Sequence, residues 1–138
     1  MVILFDQYNL PENIYEIIFA TKQQVIVGQL LVEEMKKKDG EMGKTEMSMF
    51  ATALHDGKIF EEVQESPLRP KKKVALSYNK RQFYDRILTP MKTMGIIDYD
   101  LYKKTYKLSD KFNKNTMRIG LMWLQELRKA PRQLDIKK

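Results

Sequence analysis

The chain contains no cysteine, so disulfides and thiolate metal sites are closed to it. It has one histidine, His55, and no HExxH, GxxxxGK[ST] or GxGxxG run. The common zinc-hydrolase, P-loop and dinucleotide signatures are therefore missing. Glu33-Glu34 and Glu61-Glu62 are adjacent pairs, which a helix would point apart, so neither reads as a catalytic dyad. Asp39, Glu41 and Glu46 around Gly40 lack the spacing of a calcium loop. No apolar run reaches the roughly eighteen residues of a membrane span. Met1-Val2-Ile3-Leu4-Phe5 has no basic flank and meets Asp6 at once, unlike a secretory signal, and reads as a short strand or packing arm. The expectation is a cytoplasmic protein that is not an enzyme and carries no metal or cofactor.

What the chain does have is segregated charge. Lysine and arginine total 25 against 18 acidic residues, a formal net charge of +7. Residues 1–67 hold 6 basic and 12 acidic side chains, residues 68–114 hold 13 and 4, and residues 115–138 hold 6 and 2. A solvated lysine face is the ordinary reading of a basic run, but it does not predict such segregation. A local excess of this kind concentrates a polyanion at the surface. A membrane surface is the weaker partner, since no basic amphipathic helix with exposed Trp or Phe is evident.

Periodicity predicts the elements. Asn9-Leu10-Pro11-Glu12 starts a helix that ends at Lys36-Lys37-Lys38-Asp39-Gly40, with a break near Thr21 or Gly28. Its Val25, Ile26, Val27, Leu30, Leu31 and Val32 point almost all round, so it needs cover on every side. A second helix spans 44–54, with Met47, Phe50, Ala51 and Leu54 on one face, Thr45 as N-cap and His55 as a cap or dipole partner at its end. Residues 58–66 read as a short helix and 66–73 as a basic loop punctuated by Pro67 and Pro70. Apolar residues Phe83, Tyr84, Ile87, Leu88, Met91 and Met94 predict a helix over 79–94 that stops at Gly95, its last turn kinked by Pro90. Ile96, Ile97 and Tyr99, then Tyr102, Thr105, Tyr106 and Leu108, predict two strands with a lysine-bearing tip. A last helix covers 113–129. Its apolar arc is wide enough to pack partly on the chain's own core and partly on a partner. The nine methionines fit adaptable core packing.

Within residues 77–112 the order helix, Met91-Lys92-Thr93-Met94-Gly95-Ile96-Ile97, hairpin, Tyr106-Lys107-Leu108-Ser109-Asp110-Lys111-Phe112 resembles the winged helix-turn-helix family of transcription regulators. That family's usual pattern is a helix ending x-L-x-x-x-G-L-I, a wing, then Y-x-L-S/T-x-x-G. The resemblance implies a mainly α, α+β fold with a small β-hairpin wing and extra N- and C-terminal helices. The whole chain would be one winged-helix domain: 1–40 an arm and dimerisation helix, 41–112 the core, 113–129 a C-terminal dimerisation helix and 130–138 a tail. Two features depart from the family. The loop before the recognition helix is long, leaving open which earlier helix is the scaffold, and Pro90 lies inside the helix.

The face of the 79–94 helix opposite its apolar stripe carries Asn79, Gln82, Arg86, Thr89 and Thr93. Asn and Gln suit adenine in the major groove, and Arg suits guanine. Tyr78, Lys80 and Arg81 are placed for phosphate, with Asp85 pairing to Arg81. Lys103, Lys104 and Lys107 would reach backbone phosphate or the adjacent minor groove from the wing, with Lys71, Lys72 and Lys73 as a second backbone contact and Lys137 and Lys138 as loose phosphate contacts. Val25, Leu30 and Leu31, with Leu121, Met122 and Leu124, are the expected dimer interface. The alternative is a monomer whose terminal helices cover each other. The functional expectation is sequence-specific binding of double-stranded DNA by a dimeric transcriptional regulator. A protein–protein adaptor and a plasmid- or virus-type replication or partition factor remain the alternatives. No small-molecule effector is legible.

Overall fold

The computed structural model of the protein describes residues 5–64 and 66–135. The expected N-terminal strand or arm falls largely on residues 1–4, which lie outside that range together with Lys137 and Lys138. In chain order the elements are α1 (Ile14–Ile18), α2 (Lys22–Lys37), β1 (Glu41–Gly43), α3 (Lys44–His55), β2 (Ile59–Val63) and β3 (Lys72–Leu76). A continuous helical stretch follows: α4 (Lys80–Gln82), a π-wound segment Phe83–Leu88, and α5 (Thr89–Thr93). Then come β4 (Ile97–Asp100), β5 (Thr105–Leu108) and α6 (Lys111–Arg128). Helices dominate, joined by two small antiparallel sheets, which is an α+β arrangement.

Asn13 and Thr21 set the first break. The Asn13 side chain accepts the Tyr15 N–H at 2.9 Å, and the Thr21 hydroxyl accepts the Gln24 N–H at 3.2 Å. The chain therefore turns over Phe19–Thr21, while α2 runs straight through Gly28. A Cβ at Gly28 would stand 2.4 Å from the ring of Phe19, so glycine there makes room for that ring. The helix closes with the Gly40 N–H on the Met35 carbonyl at 2.8 Å. α3 begins one residue before the Thr45 expected to cap it. Gly43 is the cap residue, and its N–H is held by the Glu46 carboxylate at 3.3 Å.

The core joins α2, α3, the 80–93 helix and the sheet β1-β5-β4. It is built on Val27, Leu31, Met35, Met42, Met47, Leu54, Phe83, Ile87, Met91 and Ile97, each at most 1% exposed. This corrects the expected place of Leu31 in a dimer interface. Leu31 is fully buried within the chain, and Val25 and Leu30 are half-buried. The near-continuous apolar character of α2 is answered by Phe19 on one side and by the core on the other.

Residues 59–63 are a strand, where local pattern predicts a helix. Ile59↔Leu76, Phe60↔Ala75, Glu61↔Val74, Glu62↔Lys73 and Val63↔Lys72 form a five-rung antiparallel ladder. The partner strand lies beyond a turn, so the pairing that overrides the helix propensity of two glutamates is invisible to a local reading. The expected loop accordingly ends earlier, and Lys72 and Lys73 lie in β3.

Pro90 is accommodated one turn upstream of it. Proline lacks an N–H, and its ring would meet the carbonyl four residues back. The Phe83–Leu88 segment is wound wider, with the Thr89 N–H reaching the Tyr84 carbonyl. The expected kink in the last turn is thus a π-wound stretch under the middle of the helix.

α6 is 18 residues long and has no buried residue. The expected packing of part of its arc on the chain's own core does not occur, and it does not cover α2 either.

Candidate nucleic-acid interface

The N-terminal end of the 80–93 helix is fixed by several bonds. Asn79 accepts the Gln82 N–H at 3.1 Å as its cap, and His55 Nδ1 accepts the Lys80 N–H at 3.0 Å. The Tyr78 N–H donates to the Leu54 carbonyl at 3.1 Å. The Lys80 ammonium donates to Ser48 Oγ at 3.2 Å and Thr52 Oγ1 at 2.9 Å. α3 is thus the element on which this helix is seated. Tyr78 is 5% exposed and belongs to the core, so it leaves the set of expected phosphate contacts. Lys80 is half-buried and its charged end is turned to α3 hydroxyls rather than outward. Asn79 is exposed, but its carbonyl oxygen is committed to the cap.

The outward face of the helix carries Arg81, Gln82, Asp85, Arg86, Thr89, Lys92 and Thr93, all exposed. Arg81 Nε lies 3.9 Å from Asp85, a surface pairing of small energetic consequence. Among the described residues, the Gln82 amide and the Arg86 guanidinium have no partner in the chain. The Thr93 hydroxyl donates back to the Thr89 carbonyl at 2.9 Å.

The β4–β5 hairpin stands beside this helix. Gly95 at φ +82° makes the turn between them, and a Cβ there would come within 3.0 Å of Lys111 and 3.2 Å of the Phe112 nitrogen. The Lys92 ammonium lies 5.4 Å above the Tyr99 ring and 5.8 Å above that of Tyr106, tying helix to hairpin. Burial pushes the Tyr106 phenol above its usual range, with Tyr84 and Tyr99 adding to it. At the tip, Asp100 accepts the N–H groups of Lys103 at 3.1 Å and Tyr102 at 2.9 Å, which hold its carboxyl below the usual carboxylate range. Lys103 and Lys104 are exposed there, and the Lys104 carbonyl is anchored by the Lys44 N–H at 2.9 Å. Lys107 is exposed on β5 but sits in register between Glu41 and Asp98, so its charge is partly offset.

The third cationic element is the β2–β3 ribbon, whose Lys71, Lys72 and Lys73 are exposed. Local pattern predicts a helix and a loop there instead. The available signal was Ile59-Phe60 and Val63 facing Val74-Ala75-Leu76 across a Pro-flanked turn. Local pattern places His55 only at the end of α3, and its role as acceptor at the start of the next helix carries no local signal.

A groove of about 440 Å³ runs between α2, α3 and β2, lined by Leu30, Glu33, Glu34, Lys38, Glu46, Met49, Phe50 and Phe60 among others. Lys38 bridges it, 2.7 Å from Glu46 and 3.7 Å from Glu34. Among the described residues no His/Asp/Glu group is arranged to hold a metal, and no helix is long and apolar enough to cross a membrane. Compared with family models, curated proteins and solved structures, the chain finds no match.

Proposed function

We propose that this is a winged-helix protein that binds double-stranded DNA, with the 80–93 helix in the major groove and the β4–β5 hairpin as the wing. The order β1-β5-β4, with α2, α3 and the 80–93 helix closing one core, supports the fold assignment. The observation that carries the functional reading is the outward face of that helix. Gln82 and Arg86 are exposed and, among the described residues, their side chains have no partner, and the tip lysines Lys103 and Lys104 stand on the adjoining hairpin. Amide and guanidinium side chains read base edges, and lysines hold backbone. Arg81, Gln82, Arg86 and Thr89 are the residues assigned to the duplex.

The protein acts as a homodimer through α6. Met117, Ile119, Leu121, Met122, Trp123, Leu124 and Leu127 are each 40–70% exposed on it. They leave bare apolar side chains along the helix, the kind of surface a second copy covers. Two recognition helices related by a two-fold axis would read an inverted repeat, as a transcriptional regulator or a replication or partition factor does. The adaptor reading rests on the same bare helix, with another protein in place of the second copy.

Anisotropy of a labelled random-sequence duplex across a salt series tests the proposal. Micromolar binding that weakens steeply with salt is expected, and Arg86→Ala at a selected site should cost about 1–3 kcal/mol. No binding at low salt refutes it.

A further inference from the structure

We infer that the β2–β3 ribbon is a second DNA arm, whose tip enters the minor groove next to the major-groove segment held by the 80–93 helix. This rests on the DNA-binding reading above. The base of the ribbon is pinned to the start of that helix. Ile59 and Leu76 pack on the core, the Ser77 hydroxyl donates to the His55 carbonyl at 3.4 Å, and the Tyr78 N–H holds the Leu54 carbonyl. The rest of the ribbon is largely exposed on both faces, so it projects away from the body of the molecule.

Its tip is built rather than slack. The Arg69 N–H donates to the Ser66 carbonyl at 3.1 Å, the Leu68 N–H to the Ser66 hydroxyl at 3.2 Å, and the Gln64 amide to the Arg69 carbonyl at 3.2 Å. That turn presents Leu68, 96% exposed, between Pro67 and Pro70. Among the described residues nothing covers this leucine. It matches the apolar wedge with which minor-groove proteins open a base step. Behind it, Lys71 leads into the return strand that carries Lys72 and Lys73, and among the described residues Glu62 is the acidic one paired with them in the ladder.

The reach fits. At about 3.4 Å per strand residue the stretch from Leu76 to the turn carries the tip some 20 Å from the base. Half a turn of B-DNA, which separates a major groove from the minor groove on the same side, is about 17 Å.

The test uses an A·T duplex of about 30 base pairs and three full-length proteins: wild type, the triple variant Lys71→Ala/Lys72→Ala/Lys73→Ala, and Leu68→Cys carrying an environment-sensitive dye. The chain has no other thiol, so the dye marks the tip alone. Wild type should bind with a steep salt dependence, and the triple variant should show a slope shallower by about 2–3. Circular dichroism of the triple variant should match wild type, since all three lysines are exposed. The dye should respond to duplex, and the minor-groove ligand netropsin should reverse that response. If wild type binds but the triple variant keeps its slope, or the dye ignores netropsin, the arm is overturned and the DNA reading stands. If wild type fails to bind at low salt, both fall.

Discussion

Gly28→Ala gives a sharp test of the packing, because two known effects oppose each other there. A Cβ at this position stands 2.4 Å from Cε2 and 2.9 Å from Cζ of Phe19, against the roughly 3.5–4.0 Å that carbon atoms prefer. The ring must retreat by more than about 1 Å, and being 5% exposed it has little room to swing. α1 has only five residues and can shift as a unit, which keeps the cost within the usual overpacking range of about 1–3 kcal/mol. Alanine recovers about 1 kcal/mol as the better helix former. The net is a loss of about 1 kcal/mol, seen as a fall in Tm of about 4 °C by circular dichroism. Phe19→Ala alone should cost about 3–5 kcal/mol. In that background no ring meets the methyl, so adding Gly28→Ala should stabilise by up to about 1 kcal/mol. The change of sign isolates the contact as a coupling of about 2 kcal/mol. A Gly28→Ala protein more stable than wild type, or an effect equal in both backgrounds, refutes the reasoning.

Three further outcomes are expected. His55→Ala removes the acceptor of the Lys80 N–H and should lower stability by about 1 kcal/mol, as loss of a cap does; amide exchange should show the loss concentrated at residues 80–82, and a uniform effect would contradict the assigned role. Asp100 has its folded pKa lowered by the Lys103 and Tyr102 N–H groups, so its hold on the β4–β5 hairpin tip is complete above the ordinary carboxylate range and is lost as pH falls through the depressed folded value. In an NMR titration the Tyr102 and Lys103 amides should therefore move at pH below roughly 3.9, and Asp100→Asn should abolish that step. Light scattering should give twice the 16.4 kDa chain mass for wild type and the single mass for Leu121→Asp/Leu124→Asp, with unchanged circular dichroism, because α6 adds no buried residue to the core; a monomeric wild type would remove the homodimer.

The helix over 79–94 and the presence of two strands after it were legible because their signals are local, although Tyr102, expected in the second strand, lies in the turn and Asp100, expected between the strands, ends β4. Phe83, Ile87, Leu88 and Met91 recur at helical spacing, Gly95 supplies a left-handed turn, and the β4–β5 hairpin closes over four residues. The β2–β3 ribbon was not legible because each strand is defined by the other across an intervening turn. For α2 the residue types were right, but their destination was not. Apolar character all round records that a surface is covered, not whether Phe19, the core or a second copy covers it. Tyr78 and Lys80 failed for a related reason. A position flanking the recognition face implies exposure, whereas the bonds from His55, Leu54, Ser48 and Thr52 draw that end of the helix onto α3.

The two departures from the winged-helix pattern, Pro90 and the long link before the helix, bear on one piece of machinery. The π-wound stretch that accommodates Pro90 carries Asp85 and Arg86 at its exposed surface, so the winding sets how Arg86 is presented relative to Gln82. The link is a ribbon whose return strand leads into Ser77, Tyr78 and the cap Asn79. α3 holds both through the bonds made at Leu54 and His55. Ribbon base and helix start therefore share one anchor. A displacement at His55 or Leu54 would alter the aim of the arm and the seating of the helix together, whereas changes at the ribbon tip or at Arg86 act separately. DNA affinities of tip and Arg86 variants should accordingly combine additively, and each should couple to His55→Ala.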